Sequence, residues 1–289
     1  MKEYPLTTVS YGVSSSPFLA IRTLRQLIED EGQRFPAASE ALRFSTYMDD
    51  IVTSVPSVEA AKQLQSELTE LLIKGQFELR KWASNHPAIL SNLPPEHCAI
   101  EAKDFTLESD KTTKILGFQW NPIGDYLFYR VKVPSKLATK RNILSTLAQI
   151  FDPLGYLTPF MLTIKSVIQY LWQSGCDWDD IASVEVVKKW EFICNQLPLL
   201  EKLNIPRCLN FELCENIQLH GFADSSERGY AGVVYLRASL KDGSMVCTIL
   251  RSKAKVAPLK KITLPRLELC AVVLVARLYM KFKKCSQKL

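Results

Sequence analysis

Phe44-Ser45-Thr46-Tyr47-Met48-Asp49-Asp50-Ile51-Val52-Thr53 is the stretch on which the fold turns. Phe44, Thr46 and Met48 alternate with Ser45 and Tyr47, two aspartates interrupt, and Ile51-Val52-Thr53 resumes β-branched character. The pattern predicts a β-hairpin with Asp49 and Asp50 at its tip. Adjacent carboxylates at such a tip offer hard oxygen ligands to a divalent cation whose other positions hold water and phosphate. Two-ion nucleotidyl transfer needs carboxylates from more than one strand, so this pair supplies only part of a site. The chain carries its own comparison at Asp179-Asp180, which has no strand on either side and predicts a solvated helix start.

Upstream, Ser16-Pro17 reads as an N-cap with proline at the first helical position, and Phe18, Ile21, Leu24, Leu27 and Ile28 repeat on one helical face up to Gly32. Downstream, Val58, Ala61, Leu64, Leu68, Leu71 and Leu72 mark a second amphipathic helix closing at Gly75. Short strands are expected around Phe77 to Trp82 and Ile115 to Trp120. From Leu137 to Leu171 the period is helical, broken by a turn at Asp152-Pro153-Leu154-Gly155. After Pro206, three strands are predicted over Gln218 to Asp224, Tyr230 to Arg237 and Met245 to Arg251, then a helix over Leu267 to Lys284.

The 289 residues are 47 % hydrophobic and 23 % charged, ordinary for a globular chain. The apolar run Cys270 to Ala276 is too short to cross a bilayer, and no secretory signal precedes Gly12, so an intracellular chain without membrane partners is expected. Eight cysteines without a Cys-x-x-Cys pair predict reduced, mostly buried thiols. The net charge of +6 is uneven: eleven Lys and Arg between Arg251 and Leu289 face the single Glu268. A second basic stretch, Arg130, Lys132, Lys136, Lys140 and Arg141, has no acidic residue between Asp125 and Asp152. Both clusters suit a phosphate backbone, and a solvated helix face is the plainer alternative.

Tyr47-Met48-Asp49-Asp50 resembles the catalytic tetrapeptide of reverse transcriptases of LTR retroelements, most closely the Bel/Pao group. The resemblance implies nucleotide- and template-binding roles for Tyr11, Gly12, Ser16 and Pro17, with Tyr11 standing where glutamine is often found. It further implies that Lys81 faces the triphosphate, that Leu116-Gly117 grips the primer terminus, and that Thr139 to Pro159 is the thumb, whose basic start tracks the duplex backbone.

Leu219-His220-Gly221-Phe222-Ala223-Asp224-Ser225-Ser226 followed by Gly229 to Tyr235 looks like the first hairpin of a retroelement ribonuclease H, and Leu264 to Ala271 like the start of its first helix. By that resemblance Asp224 and Glu268 point at one metal pair that hydrolyses phosphodiesters. Catalytic and metal-holding roles thus fall on Asp49, Asp50, Asp224 and Glu268, with Mg²⁺ or Mn²⁺ as cofactor.

The expected fold class is α+β and multidomain: the C-terminal half of a palm over residues 1–122, a thumb over 123–175, a connection over 176–215 and the N-terminal part of a ribonuclease H-like α/β domain over 216–289. Implied partners are RNA/DNA template-primer, RNA–DNA hybrid, deoxynucleoside triphosphates and other parts of a polyprotein, in the cytoplasm or in particles, with the nucleus as a further alternative. The family's upstream palm aspartate and later ribonuclease H aspartates have no counterpart here, so a chain inactive by itself is expected. A non-catalytic nucleic-acid-binding remnant is the second reading. An aspartic peptidase is a third, and Asp224-Ser225-Ser226 lacks the glycine of the Asp-Thr/Ser-Gly loop that enzyme needs in two copies.

Overall fold

The computed structural model describes residues 8–10, 12–105, 111–115, 117–132, 137–208 and 214–286, the last few of these as backbone only. The chain divides into two compact units, residues 1–128 with 205–207 and residues 129–204 with 208–289. The first unit thus takes in the start of the expected thumb and residues 205–207 of the expected connection, and the rest of the thumb, connection and ribonuclease H segments fall in the second.

In the first unit, helix α1 (Ser16–Glu31) is followed by a 3₁₀ turn (Gly32–Arg34) and helix α2 (Pro36–Phe44). The two-residue strands β1 (Thr46–Tyr47) and β2 (Asp50–Ile51) then form the antiparallel hairpin. Helix α3 (Val58–Lys74) follows. Its start is fixed by the Ser57 hydroxyl, which accepts from Ala60 N–H, and its end by Gly75. The leucine stripe of α3, Leu64, Leu68, Leu71 and Leu72, packs with Leu27, Ile28, Ala38, Ala41 and Leu42 into one buried cluster. Each fully buried leucine there contributes roughly 1.5–3 kcal/mol by leaving water.

The short helix α4 (Pro87–Leu90) leads to strands β3 (Thr113–Ile115), β4 (Phe118–Asn121) and β5 (Tyr126–Phe128). Much later in the chain, β6 (Asn204–Pro206) completes a sheet of order β3-β4-β5-β6.

Three expectations change here. Phe44 ends α2 rather than opening a strand, because Pro36 starts a helix whose Ala38, Ala41 and Leu42 bury on one face. No strand forms over Phe77 to Trp82. Gln76 and Lys81, at φ 60° and 59°, turn into the left-handed region, which breaks β alternation, and only Trp82 makes an isolated bridge, to Cys98. The strand expected over Ile115 to Trp120 is a hairpin, with Ile115 paired to Phe118 around Gly117 at φ 89°.

The second unit opens with helices α5 (Lys140–Gln149), α6 (Thr158–Gln173) and α7 (Val184–Gln196), which bury Ile143, Ile164, Leu171, Trp190 and Ile193. Helix α7 begins at Val184, so Asp179-Asp180 lies in the loop before it rather than at its start. Three long strands follow, β7 (Cys214–Ser226), β8 (Gly229–Leu240) and β9 (Met245–Val256), in sheet order β7-β8-β9, all antiparallel. Helix α8 (Leu264–Ser286) lies across β7 and β8. The periodicity located these four elements, although the strands run several residues further. β7 is an edge strand of this sheet.

The faces of this sheet are well defined. A Cβ on Gly232 would lie 3.0 Å from Val275 Cβ and 3.1 Å from Val275 N, and one on Gly221 would lie 3.1 Å from Val275 Cγ2, so α8 covers the face of Gly221, Gly232 and Val234. On the opposite face, a Cβ on Gly229 would lie 3.4 Å from Leu162 Cδ1, which places α6 there. The layers are α8, sheet, α6. The turn Asp152-Pro153-Leu154-Gly155 closes the outer edge of β9: Ser252 N–H donates to Leu154 O at 2.9 Å, and the Tyr156 hydroxyl donates to Ile249 O at 2.6 Å.

Cysteine burial departs from expectation. Cys194 is buried, Cys208 and Cys247 are exposed, and Cys98, Cys176, Cys214 and Cys270 are half-buried. No helix among the described residues is long and apolar enough to cross a membrane.

Candidate functional site

At the hairpin of the first unit, Met48 at φ 56° opens a two-residue turn with Asp49, and Asp50 sits on β2 opposite Tyr47. A left-handed first turn residue matches the twist of the flanking strands, which is why two residues close this hairpin. Only Asp49 is therefore at the tip. Both carboxylates are exposed, as are Tyr47 and Met48. The strands are anchored from below, where Val52 N–H donates to Ser45 O at 2.9 Å and Ile51 packs against the core of α2 and α3.

The expected nucleotide-binding residues fall near the start of α1. Gly12, at φ 79°, is exposed with open space around its Cα. Ser15, not Ser16, occupies the N-cap position; Ser16 begins the helix and its hydroxyl donates to Ser10 O, and Pro17 follows in the first turn. Lys81 is exposed on an irregular segment. Gly117 occupies the β3–β4 turn. Tyr11, Leu116 and Lys136 lie outside the described residues.

The first basic stretch separates into residues with different work. Arg130 and Lys132 are exposed. Lys140 is buried: its ammonium donates to Cys176 O and lies 5.6 Å from the Trp172 ring centroid and 5.9 Å from that of Trp178. A cation so enclosed by a carbonyl and two aromatic faces serves the α5–α6 junction rather than a ligand. Arg141 is held by a bidentate pair with Asp179, at 2.7 and 2.9 Å. Hydrogen bonding to Arg141 lowers the Asp179 pKa, and the same pair raises that of Arg141. Both residues are exposed, so the pair is screened and weak.

In the second unit, Asp224 pairs across the sheet with Ala231, and Phe222 with Val233. Strand alternation puts these two on the face away from α8, where the Phe222 ring meets Tyr235 edge-on at 5.9 Å. Glu268 is carried by α8 on the other face, and both carboxylates are exposed. One Asp224 oxygen accepts from Ser225 N–H at 2.7 Å. The register thus turns Asp224 to the face away from α8, the helix that carries Glu268.

Among the described residues no group of three or more His, Cys, Asp or Glu side chains is placed to hold a metal ion. A two-ion centre needs more converging carboxylates than Asp49 with Asp50, or Asp224 with Glu268, number among the described residues. The described donor sets do not fit a metal pair.

Sequence reasoning passed over Asp152. Its Oδ1 accepts from the Tyr129 hydroxyl at 2.7 Å and Gly155 N–H at 3.0 Å, and its Oδ2 accepts from Leu157 N–H at 2.9 Å. This is an aspartate-centred turn, and Asp-Pro-x-Gly was its visible signal. The motif read as a thumb turn thus closes the edge of the β7-β8-β9 sheet. Also passed over was the alternation of Arg251, Lys253 and Lys255, which puts three cations on one face of β9.

Residues 139–288 match the Pao retrotransposon-like RNaseH-like domain family. No curated protein matches the chain.

Proposed function

Because the chain belongs to the Pao retrotransposon-like RNaseH-like family, we propose that it is a nucleic-acid-binding component of a retrotransposon polyprotein that holds RNA–DNA hybrid or template-primer without cleaving or extending it by itself. The observation that supports this reading is the strand register, which turns Asp224 away from the face covered by α8, the helix that carries Glu268. Phosphodiester hydrolysis in a family of this kind requires both carboxylates at one phosphate. The family match bears on the second unit. For the first unit, descent from a reverse-transcriptase palm is supported by the Tyr47-to-Asp50 hairpin, which carries two exposed, adjacent carboxylates.

On this reading the chain contributes cations and sheet surface to nucleic acid, while deoxynucleoside triphosphates and Mg²⁺ or Mn²⁺ belong to the lineage rather than to an activity of these residues alone. The test is direct. Purified full chain is incubated with an end-labelled RNA–DNA hybrid and with a primed template plus deoxynucleoside triphosphates, in Mg²⁺ and in Mn²⁺. Retention of both nucleic acids in a salt-sensitive complex, with neither cleavage nor extension, is expected. Hybrid cleavage abolished by Asp224→Asn would overturn the non-catalytic reading, and absence of binding would overturn the reading as a whole.

A further inference from the structure

We infer that the α8-side face of β9 is a nucleic-acid backbone track, with Arg251, Lys253 and Lys255 as its phosphate-facing cations. This rests on the nucleic-acid-binding reading above and assigns it a surface.

The register puts the three side chains together. Arg251 pairs with Val234, Lys253 with Gly232 and Lys255 with Tyr230, residues that share the face on which α8 lies. α8 lies mainly over β7 and β8, leaving this side of β9 open. Lys253 and Lys255 are exposed on either side of the buried Ala254, and Arg251 is half-buried. In an extended strand, alternate residues are about 6.5–7 Å apart. That repeat is comparable to the separation of successive phosphates along one nucleic-acid strand, so the cations can meet consecutive phosphates in register.

Charge complementarity favours the same occupant. No Asp or Glu occurs between Ser244 and Thr263, while Lys260 and Lys261 extend the positive run beyond the strand. None of the three cations on β9 makes an ion pair with a described residue. Lysines on an edge strand often serve only to keep a second strand from adding to the sheet. That role is already served here, because Leu154 and Tyr156 occupy the β9 edge at Ser252 and Ile249.

The experiment measures binding of full chain to a fluorescein-labelled RNA–DNA hybrid by anisotropy across a KCl series. For R251Q/K253Q/K255Q, affinity at low salt should fall about tenfold or more, and the slope of log K against log[salt] should shrink by about two to three. K253R/K255R, which keeps the charge, should retain the wild-type slope. R25Q/K62Q/K188Q, which removes equal charge from exposed positions elsewhere, should leave the slope within about one. An unchanged slope in the β9 triple variant, or an equal loss in the control, would overturn this inference while leaving the nucleic-acid-binding reading intact. Failure of wild-type protein to bind at low salt would overturn both.

Discussion

The Tyr129 hydroxyl donates to Asp152 Oδ1 at 2.7 Å, joining the first residue of the second unit to the turn that seals its sheet edge. The same carboxylate accepts from Gly155 and Leu157 N–H, with Gly155 at φ 82° and its Cα packed against Ser252 O. Asp152→Ala removes three acceptor contacts at once and leaves donors without partners, so unfolding free energy should fall by about 2–3 kcal/mol. Tyr129→Phe removes one, for about 1 kcal/mol. Urea denaturation of the full chain, followed by a probe in the second unit, would refute this if the two variants lost equal stability.

Alkaline pH should act on the same cluster. Burial, reinforced by Asp152, raises the Tyr129 pKa far above the ordinary tyrosine value of 10.0, and burial and Asp152 also raise that of Tyr156. Both hydroxyls stay neutral in the folded chain while the unfolded chain ionises. Their contribution is complete below the unfolded value and is lost as pH climbs from about 10 toward the raised folded values. Denaturation midpoints measured between about pH 8 and 12 should fall more steeply in wild type than in Tyr129→Phe/Tyr156→Phe. Parallel curves would remove the hydroxyls from the explanation.

Gly232 sets how closely α8 approaches the sheet. A Cβ there would meet Val275 Cβ, N and Cα at 3.0, 3.1 and 3.2 Å, and two of those atoms are backbone. Gly232→Val should therefore destabilise the second unit by about 1–3 kcal/mol, and Val275→Ala should restore only part of it because the helix backbone remains in the way. Full rescue by Val275→Ala would show that α8 shifts freely on β8.

Helix α2 has no cap of its own, since Phe35 stands at its N-cap position. Glu67 of α3 substitutes: one oxygen accepts from Ala37 N–H at 2.9 Å and Ala38 N–H at 3.1 Å. Glu67→Ala should cost about 1 kcal/mol, and Glu67→Gln less, because the amide oxygen still accepts. Equal effects in a thermal melt monitored in the first unit would mean that the charge rather than the acceptor matters.

Neighbouring cations of α5 should differ sharply. Lys140→Ala leaves the Cys176 carbonyl without its ammonium donor and removes a cation from beside two tryptophan rings, so a loss of about 1–2 kcal/mol is expected, with an altered tryptophan emission spectrum. Arg141→Ala breaks an exposed, screened ion pair and an exposed contact with the Trp178 ring, and should lower the melting temperature much less than Lys140→Ala. Reduced nucleic-acid affinity of Lys140→Ala with unchanged emission would return Lys140 to the binding surface.

Local periodicity carried most of the element plan. The leucines of α3 repeat at helical spacing, and the strands and helix of the β7-to-α8 segment announce themselves by alternation and then by a 3.6-residue period, because each element buries one face. The residues that fixed the resemblance, Tyr47 to Asp50 and Leu219 to Ser226, occur in hairpins as their patterns require. Which side chains meet was another matter. Asp224 and Glu268 are 44 positions apart, and whether they can meet depends on the sheet face that α8 covers, set by Gly221 and Gly232 against Val275. Likewise Lys140 is one of five cations in a row of sequence, and only the packing of Trp172 and Trp178 makes it interior. The sequence by itself determined the elements and the lineage, through short-range periodicity and motif chemistry; the tertiary structure alone decided which charges face one another and which face solvent, because those are long-range contacts that local pattern does not encode.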